Sequence, residues 1–152
     1  MRKHLLLLSF IAVSFSLIPG CGKDDDPVPP PAKTKTELIS TGTWKFEKAM
    51  AGTIDISAQP ALACYIDNTM TFSSNLTGTI SEGTTVCTSP APSTFVWAFQ
   101  TNETILHLDF ILFTGGSPDF TIVSLTETNL VLSQTMTIAP YPATTITVTF
   151  KH

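Results

Sequence analysis

The chain has 152 residues and a formal net charge of −4, and 43% of its residues are hydrophobic while 13% are charged. This length suits one domain and leaves no room for two full cores. Without Arg2 and Lys3, which precede an apolar run at the N-terminus, six lysines and no arginine face twelve acidic residues, which gives a charge of −6. Proteins that bind nucleic acid need a basic surface, so the composition excludes that class.

The N-terminus has the pattern of an export signal. Residues 5–18 form an apolar run of 14 residues that is broken only by three serines, and Arg2, Lys3 and His4 precede it. Such a run is too short to cross a bilayer comfortably as a helix. A cationic leader at the start of a chain is typical of a signal peptide rather than of a buried core helix. The sequence therefore predicts that residues 1–20 are a leader and that the protein is exported.

A single cysteine stands where this leader ends. Residues 18–21, Ile-Pro-Gly-Cys, have the order of a lipobox, in which the cysteine receives a diacylglycerol and becomes the new N-terminus. Several acyl chains, at about 0.8 kcal/mol per buried methylene, make such an anchor essentially permanent. The alternative is an ordinary signal peptide that is cut nearby and leaves a free thiol. We expect lipidation of Cys21, and hence a bilayer as the partner of this end of the chain.

A charged cluster and a proline tract follow the cysteine. Lys23 and the aspartates at 24–26 resemble the surface-export signal of Bacteroidetes-type lipoproteins, although a solvated charge cluster would have the same pattern. The prolines within residues 27–31 favour polyproline II, a semi-rigid spacer. Residues 21–36 are therefore expected to form a tether that holds the domain at an outer membrane, on the cell surface.

From residue 37 to residue 152 the sequence has the pattern of a β protein. Most of the 25 threonines lie here, and β-branched residues alternate with apolar ones, which is typical of half-buried strands. In TTITVTFK, for example, Ile146, Val148 and Phe150 share one face. The alternation predicts eight strands, at residues 42–50, 68–74, 77–82, 93–100, 104–113, 118–125, 129–137 and 144–151.

The connections between these strands are short. Turn signals such as Ser74-Asn75 and Gly115-Gly116 predict antiparallel hairpins between neighbours. Eight meandering strands close most naturally into an up-and-down barrel, and a two-sheet sandwich is the competing architecture. We therefore expect an all-β fold, an eight-stranded antiparallel up-and-down barrel, at residues 37–152.

Two cysteines remain within the body of the chain. Cys64 precedes the second predicted strand and Cys87 follows the third, so both lie at the open end of one hairpin. Because exported proteins meet an oxidising compartment, we expect a Cys64–Cys87 disulfide rather than two buried thiols.

Residues that could carry catalysis are few. His152 is the last residue and is expected to fray. His107 and Asp109 are two residues apart on one predicted strand and thus share a face, as an acid–base pair or as a polar pair on a half-covered face. We favour the polar pair because no serine or cysteine stands in a recognisable nucleophile elbow. No His/Cys cluster has zinc spacing. The sequence predicts no enzyme, no catalytic residue, no metal site and no cofactor.

Aromatic residues offer a more promising site. Plain core packing explains them equally well, but a barrel lined by them would hold a hydrophobic ligand. An open apolar cavity would support this function, whereas an interior filled by its own side chains would contradict it. The candidate lining residues are Phe72, Phe95, Trp97, Phe99, Phe110 and Phe113.

The order of motifs along the domain resembles a known family. The segments TELISTGTWKFEKA, CYIDNTMTFSSNLTGTISEG, VSLTETNLVLSQ and TVTFK follow the layout of the lipocalin-like domain of Bacteroidetes-type lipoproteins. Residues 42–44, Gly-Thr-Trp, are similar to the Gly-x-Trp that opens the first strand of lipocalins. The resemblance implies a small calycin-like barrel that Gly42 and Trp44 close at its base, with the basic side chain of Lys151 packed on the tryptophan.

By analogy with that family, the barrel is expected to bind a small hydrophobic ligand or a lipid, which is a weaker inference than the fold. Together with the export signals, this predicts a monomeric, membrane-anchored lipoprotein that binds such a ligand. The alternative is a non-catalytic structural or protein-interaction module with a filled barrel.

Overall fold

The computed structural model describes residues 31–152. The predicted leader, Cys21 and most of the predicted tether lie outside the described residues. The residues from Ala32 to His152 form a single folded unit. Within this range, no helix is both long and apolar enough to cross a membrane.

Residues 31–152 form nine strands and two short helices. In chain order these are α1 (Lys35–Ile39), β1 (Trp44–Ala51), β2 (Ile54–Asp55), a 3-10 helix (Pro60–Tyr65), β3 (Thr69–Phe72), β4 (Thr77–Ser81), β5 (Thr94–Gln100), β6 (Ile105–Leu108), β7 (Asp119–Leu125), β8 (Asn129–Met136) and β9 (Thr144–Lys151).

All nine strands belong to one antiparallel sheet. They follow the order β2-β1-β3-β4-β5-β6-β7-β8-β9, and β9 also pairs with β1. This last pairing closes eight strands into a ring, while β2 adds a short hairpin to the end of β1. The ring confirms the predicted eight-stranded antiparallel barrel and is incompatible with the competing two-sheet sandwich.

The alternation along each strand determines which side chains fill the ring. On β8, Leu130, Leu132 and Met136 are almost fully buried, and the residues between them are more exposed. Threonines occupy many outward positions, where the hydroxyls of Thr71 and Thr79 on neighbouring strands lie 2.6 Å apart. Successive side chains point to opposite faces of a strand, so local sequence separates core from surface.

One end of the barrel is closed by α1. Thr34 caps this helix through a capping box with Glu37, which satisfies amide donors at the helix start. Ile39 is completely buried, and its carbonyl oxygen accepts a hydrogen bond of 2.8 Å from the indole N–H of Trp44. The helix thus begins within the stretch that the sequence assigned to the tether.

Strand β6 is shorter than the sequence predicted. The expected strand at residues 104–113 ends at Leu108. The backbone amide of the next residue, Asp109, donates to the Val96 carbonyl oxygen of β5, and its carboxylate accepts a hydrogen bond from the Val96 amide. The chain then loops over the end of the barrel, where Leu112 and Phe113 are buried. The apolar run continues past the strand because it covers the core from above.

Three segments cover the end of the barrel opposite α1, and they are termed the covering loops: residues 56–68, 82–93 and 109–118. A disulfide between Cys64 and Cys87, with Cα atoms 5.1 Å apart, joins the first two and confirms the predicted pairing. The Thr114 amide donates to the Tyr65 hydroxyl over 3.3 Å and joins the first to the third. The covering loops therefore hold one another in place.

Candidate functional site

Five of the six candidate aromatic residues form one continuous cluster. Adjacent rings have centroids 5.4 Å apart for Phe72 and Phe95, 5.6 Å for Phe72 and Trp97, 5.3 Å for Trp97 and Phe99, and 5.5 Å for Phe95 and Phe110. These tilted and edge-on contacts are the arrangements that aromatic rings favour in protein cores. The rings pack on one another, so they fill the barrel instead of lining an open space.

The packing around this cluster leaves no room for an additional methyl group at Gly78. This glycine lies on β4 directly opposite Phe95 of β5, and a Cβ atom added to it would overlap the phenyl ring. The interior of the barrel is therefore close-packed at this level.

The sixth candidate, Phe113, lies apart from this cluster. Its ring contacts Tyr65 at a centroid distance of 4.8 Å and Phe120 at 6.3 Å. Phe113 is also one of the residues that line a small cavity beneath the covering loops. The sequence therefore grouped residues that the structure divides between a packed cluster and a cavity wall.

The cavity beneath the covering loops has a volume of about 20 Å³. This is enough for roughly one water molecule. Most of its wall is apolar, and Asn68 and Tyr65 add polar groups. The lining residues are Trp44, Tyr65, Asn68, Thr69, Met70, Ile80, Leu112, Phe113 and Phe150.

The cavity adjoins the shortest junction of the ring, which is termed the seam. Here β1 and β3 pair at only two positions, Trp44 with Met70 and Lys45 with Thr69. The other junctions within the ring have between three and eight such pairs. The part of the barrel wall that adjoins the cavity is thus the part held by the fewest backbone pairs.

Asn68 lies at the seam with half of its amide group unsatisfied. Its Oδ1 accepts a hydrogen bond of 3.3 Å from the Gly83 amide, whereas its Nδ2 is buried and has no hydrogen-bond partner. A buried donor without a partner is unusual because it loses its bonds to water without replacing them.

At the base of the barrel the residue packed on Trp44 is His152 and not Lys151. The His152 ring lies on the Trp44 indole with centroids 3.9 Å apart, and its Nδ1 lies 3.1 Å from the Thr43 carbonyl oxygen. The Lys151 ammonium instead pairs with the Glu47 carboxylate. Trp44 is thus covered by the C-terminal histidine, which we expected to fray, and the role given to Lys151 is corrected.

Gly42 makes this contact feasible. Its φ of +72° is a conformation that other residues rarely adopt. A Cβ atom at this position would also lie 2.9 Å from Nδ1 of His152. The glycine thus permits the close approach of the C-terminal ring to the base of the barrel.

His107 and Asp109 do not form the pair that their spacing suggested. His107 on β6 faces Asp119 on β7, with Nδ1 and Oδ1 2.6 Å apart, while the Asp109 carboxylate bonds to the Val96 amide. The Asp109 amide also donates to the Val96 carbonyl oxygen over 3.0 Å, so both groups of Asp109 bond to β5 and neither bonds to His107. In residues 31–152, no group of three or more His, Cys, Asp or Glu side chains could hold a metal ion.

Sequence reasoning missed the polar residues that organise the covering loops. The Asp67 carboxylate accepts hydrogen bonds from the hydroxyl and the amide of Thr84, at 2.9 and 2.6 Å. These bonds, that from the Thr84 hydroxyl above all, hold the pKa of Asp67 below its ordinary value. Gln134 is buried and accepts a bond of 2.6 Å from the Ser117 amide. Asp67 and Thr84 stand in no periodic pattern. Gln134 stands at an inward position of β8 between Leu132 and Met136, where its polarity was the one available signal.

Comparison with known proteins agrees with this architecture. The family model described as "Lipocalin-like domain" matches residues 41–132, from the turn before β1 to the middle of β8. A search of curated proteins found no match to the chain.

Proposed function

Because the chain belongs to the lipocalin-like domain family, we propose that it is a non-catalytic module with a filled barrel, held at a membrane by acylated Cys21. The observation that carries this proposal is the small volume of the cavity beneath the covering loops, about 20 Å³, beside a close-packed aromatic cluster. An apolar cavity that binds benzene measures about 150 Å³. A filled interior supports a structural or interaction role over a hydrophobic ligand held among the predicted aromatic residues.

The cysteines support the anchoring part of the proposal. Since Cys64 and Cys87 are bonded to each other, Cys21 is the remaining cysteine of the chain. A structural disulfide is typical of proteins outside the cytoplasm, and a cysteine at the end of a leader is the acceptor that lipoprotein processing requires. The acidic cluster that follows favours display on the outer surface, with the proline tract as a spacer.

Replacement of the lipid acceptor tests the anchor. We expect Cys21→Ala to move the protein from the membrane fraction to the soluble fraction, because the acyl chains provide most of the membrane affinity. The Cys64→Ala/Cys87→Ala variant is the control and is expected to stay with the membrane. Continued membrane association of the Cys21→Ala protein would contradict the lipobox hypothesis. Digestion by protease added to intact cells would test surface display.

The two tryptophans allow a test of the filled interior. In a Trp44→Phe variant, Trp97 reports from within the aromatic cluster. We expect bromobenzene, a heavy-atom quencher of benzene size, to cause no saturable quenching of Trp97, because Phe72 and Phe99 pack directly against its ring. Saturable quenching in a protein with an unchanged circular dichroism spectrum would overturn the filled-barrel proposal.

A further inference from the structure

We propose that the covering loops dock an extended segment of another protein, one that carries lysine or arginine beside small apolar residues. The docking site is an open groove, termed the loop groove, which is lined by the 3-10 helix Pro60–Tyr65, by residues 85–89 and by Thr114. This inference rests on the proposed function, because it gives a partner to the non-catalytic module which that function describes.

The loop groove is far larger than the cavity beneath the covering loops. Its volume is about 480 Å³, within the range of roughly 300–1,000 Å³ that binding sites have, whereas the cavity measures about 20 Å³. The Cys64–Cys87 bond joins the two main walls of the groove and keeps their spacing. A groove that is formed before its partner arrives costs less conformational entropy on binding. The space for a partner therefore lies outside the barrel, between the covering loops.

Two exposed apolar side chains accompany the loop groove. Val86, in its wall, is 61% exposed, and Ile66, which directly follows the 3-10 helix, is 51% exposed. Each stands within two residues of a bridged cysteine, so both lie near the disulfide. Covering such side chains removes apolar surface from water, which favours association. The partner is therefore expected to bring small apolar residues.

The backbone of one wall is available for pairing. Residues 86–89 lie outside every strand and helix, and their amides donate to no backbone carbonyl within residues 31–152. All of them except Cys87 are exposed. An extended chain laid along such a segment pairs with it through backbone hydrogen bonds, which provide affinity, while alternate side chains provide specificity. These unused groups favour a peptide segment over a small molecule as the occupant.

The charge of the covering loops defines the sign of the partner. These loops contain Asp67, Glu82 and Asp109 and no lysine, arginine or histidine. Asp67 borders the loop groove, because its Oδ2 accepts the Thr85 amide over 3.2 Å and both bonds from Thr84, which leaves Oδ1 available to a cation. An acidic surface attracts a basic segment and repels a second copy of this acidic chain or an anionic lipid surface. Charge complementarity therefore favours a basic partner.

The chain enters the domain at the end opposite the loop groove. Before α1, Lys33 pairs with Glu127 of the β7–β8 connection over 2.8 Å, and the Lys35 ammonium donates to the Glu103 carbonyl oxygen of the β5–β6 connection over 2.6 Å. A domain anchored through residues before Lys33 is thus held at its α1 end. The proposed anchor therefore leaves the loop groove accessible to another protein.

Two peptides of opposite charge test this inference. The protein is the full chain with Cys21→Ala, labelled with ¹⁵N, and the probes are capped hexapeptides in which valine alternates with either lysine or glutamate. We expect the lysine peptide to shift the amide signals of residues 84–89 saturably, with a Kd about tenfold or more below that of the glutamate peptide. Raising the salt from about 0.01 M to about 0.15 M should weaken its binding. Equal binding of the two peptides, or no saturable shift, would overturn the proposal.

Two exposed valines provide a matched pair of variants. Val86→Lys places a positive charge in the wall of the loop groove, and we expect it to weaken binding of the lysine peptide by about tenfold. Val123→Lys makes the same change at a side chain of similar exposure, 57%, on β7 and is expected to leave binding unchanged. Circular dichroism checks that both variants fold. Unchanged binding by folded Val86→Lys would overturn the proposed site, and Ile66→Lys, with the same expected loss, replaces it if Val86→Lys does not fold.

The outcomes separate this inference from the proposed function. A protein that requires Cys21 for membrane association and shows no saturable quenching by bromobenzene, but binds neither peptide, contradicts this inference alone. Selective binding of the lysine peptide together with saturable quenching of Trp97 contradicts the filled barrel alone. Shifts of the signals of residues 84–89 that grow with protein concentration in the absence of peptide would identify a second copy as the occupant and overturn the proposal.

Discussion

The two strands that flank β1 within the ring, β9 and β3, hold it very differently. On one side β9 pairs with it at six positions, from Lys45–Lys151 to Ala51–Ile146, with one irregularity between Phe46 and Lys48. On the other side β3 pairs with it at two positions, and the short strand β2 pairs with two more at its far end. A closed ring therefore does not imply a uniform wall, because the two strands that flank β1 within the ring differ threefold in their register pairs with it.

On the β3 side, contacts among the covering loops take the place of the backbone pairs that β1 and β3 do not form. The Cys64–Cys87 bond, the Asp67–Thr84 hydrogen bonds and the Tyr65–Thr114 hydrogen bond all lie in or next to the segment that leads into β3. These contacts join distant parts of the chain. By contrast, β9 is held in the ring by eight register pairs with β8, the strand that precedes it in the sequence. We infer that the β9 side depends on backbone pairing and the β3 side on side-chain and covalent links.

The largest expected effect comes from removing the covalent link. We expect Cys64→Ser/Cys87→Ser to lower the free energy of unfolding by about 3.5 kcal/mol, because the bridge constrains a long loop in the unfolded chain. Urea unfolding followed by circular dichroism measures this, and Cys21→Ser is the control with no expected loss. A loss below about 1 kcal/mol would mean that the covering loops hold the β3 side without the disulfide.

Two substitutions on the same face of β4 compare the packed cluster with the cavity. Gly78→Ala is expected to destabilise the protein by about 1–3 kcal/mol, because the added methyl group overlaps the Phe95 ring. Ile80→Phe, two residues along, extends into the cavity and is expected to change stability by less than about 1 kcal/mol. Thermal unfolding of both variants checks this. Equal losses would show that the cavity cannot accept additional atoms.

Hydrogen exchange compares the two edges of β1 directly. We expect amide hydrogens bonded across the β1–β3 seam to exchange about tenfold or more faster than those bonded between β1 and β9, because fewer pairs must part for local opening. Native-state exchange followed by NMR resolves the two sets in one sample. Equal protection would indicate that the ring opens only by global unfolding.

The smallest expected effect is on the way in which the free energy of unfolding falls at acidic pH. Hydrogen bonds from Thr84, above all from its hydroxyl, lower the pKa of Asp67 in the folded protein from the ordinary value of 3.8. A carboxylate with a depressed pKa stabilises the folded state above its unfolded pKa, and this contribution is lost as the pH falls through the folded pKa. Asp67→Asn should therefore flatten the loss of stability below pH 3.8, as followed by urea unfolding in a series of acidic buffers. An equally steep loss of stability in the variant would show that Asp67 does not contribute to the acid dependence.

Much of the fold was predictable from the sequence. Alternation within β9 and β8 located those strands to within a residue or two, and the export context predicted the disulfide. Strand β6 was predicted too long because an apolar run has the same pattern whether it continues a strand or covers the core from a loop. β2 and the 3-10 helix were missed because two strand residues and a short, alanine-containing turn carry no periodic signal.

The candidate site was less predictable. Six aromatic residues were chosen as the wall of a pocket, and the structure packs five of them against one another. Asn68 and Tyr65 drew no attention because a single amide at the start of a predicted strand and a single phenol before it have no spacing that points to a site. The sequence analysis placed Lys151 on Trp44, whereas the structure places His152 there. Sequence order indicates that the end of the last strand lies near Trp44, but it does not indicate which side chain points inward.

By itself the sequence determined the class of the fold, the order of its strands and the face that each buries, because these depend on residues one or two positions apart. Only the tertiary structure decided whether the barrel is open or full, where its wall is weakest and which polar atoms lose their partners. Those properties arise where side chains from several strands and loops meet, and such distances depend on the closure of the whole ring.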